Sequence, residues 1–181
     1  SELGDAGPAE HDGLSLLGEQ VVAELNRLGI LVDISHVSKQ TMLEATKLSK
    51  APVIASHSSV NGVFVHPRNM DDEQLAALKE NGGVIQLVAF NTYLKQGGKA
   101  TVSELVDHLD YAVGKVGIDH VGISSDFGGG GGITGWNNAG ETFNVTLELV
   151  KRGYSEADIG KIWSGNVLRI LEQAEQVAAG R

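Results

Sequence analysis

Short apolar segments alternate with amphipathic helical segments along this chain, and that alternation restricts the folds that it can adopt. The apolar segments are ILVDI at residues 30–34, PVIAS at 52–56, VIQLVAF at 84–90 and HVGISSDF at 120–127. Near-continuous hydrophobic runs are typical of parallel strands buried on both faces. Strands separated by helices pair in parallel through right-handed crossovers. The sequence therefore predicts an α/β fold with a parallel sheet.

Capping residues predict where the helices of this pattern begin and end. Ser38 fits an N-cap, and Thr101 with Glu104 has the spacing of a capping box. Gly29 and Gly82 follow the last apolar positions of two helices and fit their C-terminal ends. The two remaining helices are predicted at about residues 141–152 and after Ser155.

The composition excludes several classes of function. A net charge of −9 and the absence of a Lys/Arg-rich stretch argue against nucleic acid as a partner. No apolar run reaches the ~18 residues that a membrane helix requires, and the compartment stays open. The chain has 181 residues and no cysteine, so we expect one domain whose metals are bound through nitrogen and oxygen. It begins with Ser1 and a polar run, and we expect it to be a piece of a longer protein.

Two histidines and one aspartate come at the ends of strand-like segments. His36 follows ILVDI, His57 follows PVIAS, and Asp126 lies near the end of HVGISSDF. The carboxyl ends of parallel strands carry the site in α/β folds, because the loops leaving them converge on one face. Neighbouring strands lie ~4.8 Å apart, so imidazoles at equal depth can reach one metal ion. The pattern fits a zinc site at His36 and His57 and fits equally well two polar residues that bind no ligand.

The other histidines are expected to be structural. His120, beside Asp119, precedes its strand and so lies on the opposite rim, where residues usually serve stability. His11, His66 and His108 are expected in loops or on helix surfaces.

Longer stretches of the sequence carry a resemblance to a known family. Together, and in the same order along the chain, they resemble the C-terminal half of the membrane (renal-type) dipeptidase family, zinc peptidases on a TIM barrel of the amidohydrolase-like group. The stretches are GLSLLGEQVVAELNRLGILVDISHVS, APVIASHSS, HPRNMDDEQL, NGGVIQL, DHVGISSDF and ELVKRGYSEADIGKIWSGNVLRIL.

The resemblance implies a fold and a set of roles. Residues 1–181 would form about four β/α units, the C-terminal half of a single (β/α)8 barrel domain. His36 and His57 would ligate the second ion of a dinuclear zinc pair, which polarises the peptide carbonyl and activates a bridging water. Arg68 would bind the substrate carboxylate. Asp126 would lie by the scissile bond, where it relays a proton or pairs with the free amino group of the substrate. The expected function is zinc-dependent hydrolysis of dipeptides.

The chain also departs from the family pattern. By the resemblance, the family's His-x-Asp pair on the first strand, its bridging Glu and a further substrate-binding His would belong to the N-terminal half, which this chain lacks. We therefore expect ligands for only part of the zinc site, an inactive isolated chain, and the missing N-terminal half as a partner, with a homodimer as a further possibility. The alternative function is a non-catalytic half-barrel for assembly or binding.

A glycine run, Gly128–Gly132, stands where the family commonly has another Asp after the SDF triplet. We interpret it as a flexible loop at the rim of the site. The alternative is a backbone cradle for phosphate, as in a phosphate-handling barrel lyase. Tyr93 and Trp136 either line a side-chain pocket near this loop or pack in the core or at the surface.

Overall fold

A parallel four-stranded sheet forms the centre of the computed structural model, which describes residues 1–180. The strands lie in the order β2-β1-β3-β4, and all their pairings are parallel, which confirms the predicted α/β class. None of the helices within residues 1–180 is long and apolar enough to cross a bilayer. The strands are β1 (Ile54–Val60), β2 (Asn69–Met70), β3 (Val84–Val88) and β4 (Val121–Ser124). The helices are α1 (Leu16–Leu28), α2 (Lys39–Leu48), α3 (Asp72–Asn81), α4 (Asn91–Leu94), α5 (Val102–Val116), α6 (Phe143–Lys151), α7 (Glu156–Gly160) and α8 (Asn166–Ala178).

The predicted caps are confirmed at the ends of the helices. The Ser38 side chain accepts the amide N–H of Thr41 at the start of α2, and Thr101 and Glu104 form a capping box at the start of α5. Gly29 and Gly82 end α1 and α3 with φ of 73° and 84°, a conformation that glycine adopts without a Cβ clash.

The segment ILVDI, predicted as a strand, is not a regular strand. It meets β1 at one parallel bridge between Asp33 and Ile54, where the amide N–H of Ile34 donates to the Ile54 carbonyl at 2.8 Å. The Asp33 carboxylate then accepts the amide N–H groups of Ser35 at 3.0 Å and Ser56 at 3.2 Å. Because a side chain occupies these backbone donors, the ladder stops after one bridge.

His57 was predicted at the end of a strand, but it lies inside β1. The pairing with β3 shifts register between Ala55 and Ser58, where three steps along β1 match two steps along β3. Such a bulge bends the strand and changes the direction of its side chains. The strand continues to Val60, where it pairs with β2, a short strand that the sequence did not predict.

His108 is in the core and not on a helix surface, which corrects the expectation. It is fully buried on α5, where Val60 N–H donates to its Nδ1 at 3.3 Å. Its Nε2 lies 3.1 Å from the Leu94 carbonyl and so carries the proton that this acceptor binds. The neutral ring therefore joins β1, α4 and α5 through both nitrogens.

Replacing His108 with Phe should destabilise the chain and reduce the acid dependence of its stability. Burial lowers the pKa of His108, against the raising effects of its bond to Leu94 and of the Asp107 charge. The unfolded state therefore binds the proton first, and stability falls as the pH drops below about 6.5. Phe removes this titration and leaves the Val60 N–H and the Leu94 carbonyl unpaired, at about 1–3 kcal/mol for each group.

The measurement is urea unfolding of both proteins at pH 8 and pH 5.5. The gap in unfolding free energy between wild type and His108→Phe should be widest at pH 8 and narrower at pH 5.5. His11→Phe, in an exposed loop, is the matched control. A gap that is constant with pH would show that His108 does not titrate in this range.

The last helix, α8, crosses the amino-terminal end of the sheet. Its Ile170 is fully buried against Ile54 and Val84, the first residues of β1 and β3. Arg169 donates to the carbonyls of Gly82 and Asp119, which precede β3 and β4. A five-residue π-helical turn, Lys161–Gly165, joins α8 to α7. The end of the sheet opposite to the predicted site is thus covered by the chain itself.

Candidate active site

His36 and His57 lie side by side, as their places in the sequence predict. Their ring centroids are 4.7 Å apart with an interplanar angle of 52°. Each of them follows a partner of the single parallel bridge by three residues, His36 after Asp33 and His57 after Ile54. The structure therefore provides two adjacent imidazoles of the kind that can share one metal ion.

Backbone strain coincides with the candidate residues. His36 has φ of 66° and Asp126 has φ of 52°, and Asp12 is the third non-glycine residue with positive φ among those described. A side chain with a Cβ adopts this conformation at a cost of order 1–3 kcal/mol, and surrounding contacts must hold it there. Two of the proposed site residues are therefore held in conformations that local preference disfavours.

A chain of hydrogen bonds links Asp33, Ser56 and the ring of His57. The Ser56 hydroxyl donates to Oδ2 of Asp33 at 2.5 Å, and its Oγ lies 2.7 Å from Nδ1 of His57. The amide N–H of His57 donates to Oγ of Ser35 at 3.1 Å. Both the backbone and the ring of His57 thus have fixed partners.

The surroundings of His36 favour its neutral form. Desolvation by nearby protein lowers its pKa most, although the residue is exposed, and the positive charge of Arg68 and the neighbouring His57 lower it further. The carboxylates of Asp33 and Asp126 act in the opposite direction. A neutral imidazole keeps a lone pair that can bind a metal ion.

Arg68 lies next to the histidine pair. Its Nη2 donates to the carbonyl of His57 at 3.2 Å, and its guanidinium stands 5.5 Å from the centroid of the Tyr93 ring. Nε of Arg68 is buried without a hydrogen-bond partner among residues 1–180. His66 also packs against Tyr93, with their ring centroids 4.6 Å apart. Arg68 therefore brings a positive charge beside His57 and has one buried N–H without a partner among the described residues.

The glycine run folds back on Asp126. The carbonyl of Asp126 accepts the N–H groups of Gly129 and Gly131, each at 3.0 Å, and Gly132 donates to the carbonyl of Ala89 at 2.7 Å. A Cβ on Gly131 would lie 2.1 Å from the Ser125 carbonyl oxygen, so this close turn requires glycine. Since these N–H groups bind the chain's own carbonyls, they are not available to cradle a phosphate.

Trp136 packs in the core and does not line a pocket. It is 3% exposed, its ring centroid lies 5.5 Å from that of Phe127 and 5.8 Å from that of Trp163, and its indole N–H donates to Thr142.

His120 lies before β4, as predicted, and its Nδ1 is 2.8 Å from the Gly83 carbonyl. Its neighbour Asp119 pairs with Lys161.

A complete set of metal ligands is absent from residues 1–180. Within this part of the chain no cluster of three or more His, Cys, Asp or Glu side chains could bind a metal ion. Structural zinc sites use four ligands and catalytic sites use three protein ligands with an open position. The two imidazoles fit part of a zinc site.

Residues 2–181 match the family described as "Membrane dipeptidase (Peptidase family M19)". The chain belongs to the membrane dipeptidase family. The resemblance inferred from its motifs is confirmed.

Dipeptidases from fungi and bacteria are similar to this membrane dipeptidase family member. "Dipeptidase tcpJ" of Claviceps purpurea is 41% identical over 174 residues, which cover 94% of this chain and 41% of that protein. The crystal structure of the probable dipeptidase PvdM from Pseudomonas aeruginosa has a TM-score of 0.89 at 37% identity, covering 91% of this chain and 55% of the other. A metallopeptidase from Rhodobacter sphaeroides, crystallised with a phosphinate mimic of the dipeptide L-Ala-D-Ala, has a TM-score of 0.86 at 30% identity, covering 95% and 50%.

These comparisons also decide the architecture. The solved relatives, among them a probable dipeptidase and a metallopeptidase of family M19, have TIM-barrel-like folds. The chain spans about two fifths of the length of the curated relatives that it matches. Its parallel sheet is thus part of a (β/α)8-type barrel.

Proposed function

We propose that this chain contributes the C-terminal half of a barrel domain, residues 1–181, to a zinc-dependent dipeptidase. The observation that carries the proposal is the pair of imidazoles, His36 and His57, at 4.7 Å beside the guanidinium of Arg68. A metal-binding pair next to an anion-binding group suits a small substrate with a free carboxylate. The relative from Rhodobacter sphaeroides, crystallised with a dipeptide mimic, supports the same substrate class.

His36 and His57 are the residues that would hold zinc. Both are nitrogen ligands, and the absence of cysteine from the chain leaves no thiolate to compete. Bound zinc would polarise the peptide carbonyl and lower the pKa of water, the chemistry that peptide hydrolysis requires. The other ligands, and those of a second zinc ion, would come from the part of the barrel that the relatives have outside the matched region.

Arg68 would hold the carboxylate of the dipeptide. Its fork of donors pairs with a carboxylate in two parallel hydrogen bonds, and its buried Nε has no partner within residues 1–180. The ring of Tyr93 supports the guanidinium from one side. Fixing the carboxylate places the peptide bond at a set distance from the histidines.

Asp126 would act on the amino side of the peptide bond. Its carboxylate influences the charge of His36, and its backbone is fixed by two hydrogen bonds from the glycine run. A carboxylate in this place either passes a proton to the leaving amine or pairs with the free amino group of the substrate. Pairing with the amino group would keep the substrate short, because both ends of a dipeptide would then be bound at once.

Activity is best tested in a fusion protein that places this chain behind the part of the Claviceps purpurea dipeptidase preceding its matched region. Arg68→Ala in this fusion protein should lower kcat/KM for a dipeptide with a free carboxylate by about 10- to 100-fold, from the loss of a charge-assisted pair. Arg68→Lys should restore part of this loss, because an ammonium cannot form the two parallel bonds. The assay is amino-acid release from the free acid and from its C-terminal amide.

The amide serves as the internal control, since it should lose little when Arg68 is changed. Arg27→Ala, at an exposed ion pair on α1, is the matched arginine control and should leave both rates unchanged. Equal losses on the acid and the amide would contradict a carboxylate-binding role for Arg68.

A further inference from the structure

The protons in the chain Asp33–Ser56–His57 can be assigned from the geometry. A hydroxyl has one proton, and the Ser56 Oγ has two partners, Oδ2 of Asp33 at 2.5 Å and Nδ1 of His57 at 2.7 Å. A carboxylate can only accept, so the Ser56 proton must point to Asp33. The remaining bond then requires that Nδ1 of His57 donates to Oγ of Ser56.

The carboxylate that directs this chain is itself fixed. Oδ1 of Asp33 accepts two backbone N–H groups, those of Ser35 and Ser56. These bonds leave Oδ2 facing the Ser56 hydroxyl and keep the carboxylate from rotating away. The same two bonds end the ladder between residues 30–34 and β1, so one side chain both shapes the backbone and directs the serine.

We propose that Asp33 and Ser56 are positioning residues that hold His57 as the Nδ1–H tautomer and thereby leave the lone pair of Nε2 for a metal ion. The inference rests on the proposed function in one respect, the use of His57 as a zinc ligand. Ligating histidines commonly donate their second N–H to an acceptor, and that bond sets the tautomer and the ring orientation. Here the acceptor is a serine whose own proton is committed to a carboxylate.

Asp33→Asn should reverse the direction of the chain. The amide oxygen would stay with the two backbone N–H groups, which leaves the amide N–H facing Oγ of Ser56. Ser56 would then accept from Asn and donate to Nδ1 of His57, so the ring would carry its proton on Nε2. The substitution thus changes the tautomer while keeping the size of the side chain.

The test is ¹⁵N NMR of the histidine rings in the metal-free chain at pH 8, where two-bond couplings distinguish the tautomers. We expect Nδ1–H at His57 in the wild type, Nε2–H in Asp33→Asn, and a mixture in Ser56→Ala, which removes the link. Ser35→Ala is the matched control, because Ser35 bonds the backbone of His57 and not its ring. Ser56→Ala also keeps the test decisive if Asp33→Asn fails to fold.

A second readout is the affinity of the fusion protein for Zn²⁺ alone, measured by competition with a chromophoric chelator. Asp33→Asn should weaken binding by about 10- to 100-fold, the usual effect of losing a partner that orients a ligand, and Ser35→Ala should not. His57 as Nε2–H in the wild type, or unchanged in Asp33→Asn, would overturn the positioning role. Tautomers that behave as expected, together with a fusion protein that binds no zinc, would support the hydrogen-bond chain and contradict His57 as a zinc ligand.

Discussion

The 181-residue chain alone, supplied with zinc, should hydrolyse dipeptides no faster than a protein-free control, whereas the fusion protein should hydrolyse them at an enzymatic rate. The reason is the number of ligands, because two imidazoles are fewer than the three protein ligands of a catalytic zinc site. Residues 1–180 contain no cluster that would supply a third. Typical enzymes turn over at about 1–10³ s⁻¹, so the expected difference spans several orders of magnitude.

The measurement is release of free amino acids from a simple dipeptide, with and without a chelator. A monomeric chain of 181 residues that gave robust, chelator-sensitive turnover would contradict the half-site. The zinc content of the fusion protein decides between the dipeptidase and the non-catalytic module. A fusion protein that folds but binds no zinc would favour the module.

His57→Ala should abolish zinc binding and activity in the fusion protein. Removing a ligand should weaken zinc binding by more than the about 10- to 100-fold lost with a residue that only orients a ligand. Elemental analysis after gel filtration gives the metal content, and dipeptide hydrolysis gives the activity. His36→Ala is expected to behave in the same way, because the two rings are neighbours.

His120→Ala provides the control for a generic loss of histidine. His120 lies before β4 and contacts the Gly83 carbonyl, away from the histidine pair. Its removal should leave the zinc content as in the wild type. An unchanged metal content in His57→Ala would show that His57 is not a ligand.

Local rules were sufficient to predict most of the fold. Caps such as Ser38 and Ser155 use bonds to amides three residues away, so the sequence nearby determines them. The segment at 30–34 could not be predicted in the same way, because the carboxylate of Asp33 competes for backbone donors from another strand. The position of α8 across the sheet also depends on distant residues, as in the contact of Ile170 with Ile54.

The site was partly predictable for the same reason. The alternation of strands and helices predicts that the segments carrying His36 and His57 are parallel neighbours, but it does not predict the single bridge at Asp33 or the bulge in β1. The Ser56 contact could not be inferred, because serine and aspartate near strand ends usually indicate turns. His108 had a signal, since it lies three residues after Leu105 and four before Ala112 on the apolar face of α5.

The left-handed backbone at His36 and Asp126 has a consequence for engineering. Glycine, and to a lesser degree asparagine, adopts such φ values more easily than other residues. A library selected only for thermal tolerance would therefore tend to replace these two residues and so remove an imidazole and a carboxylate from the site. With the roles proposed for these residues, stability and catalysis would compete at both positions, and a screen for more stable variants would have to select for turnover at the same time.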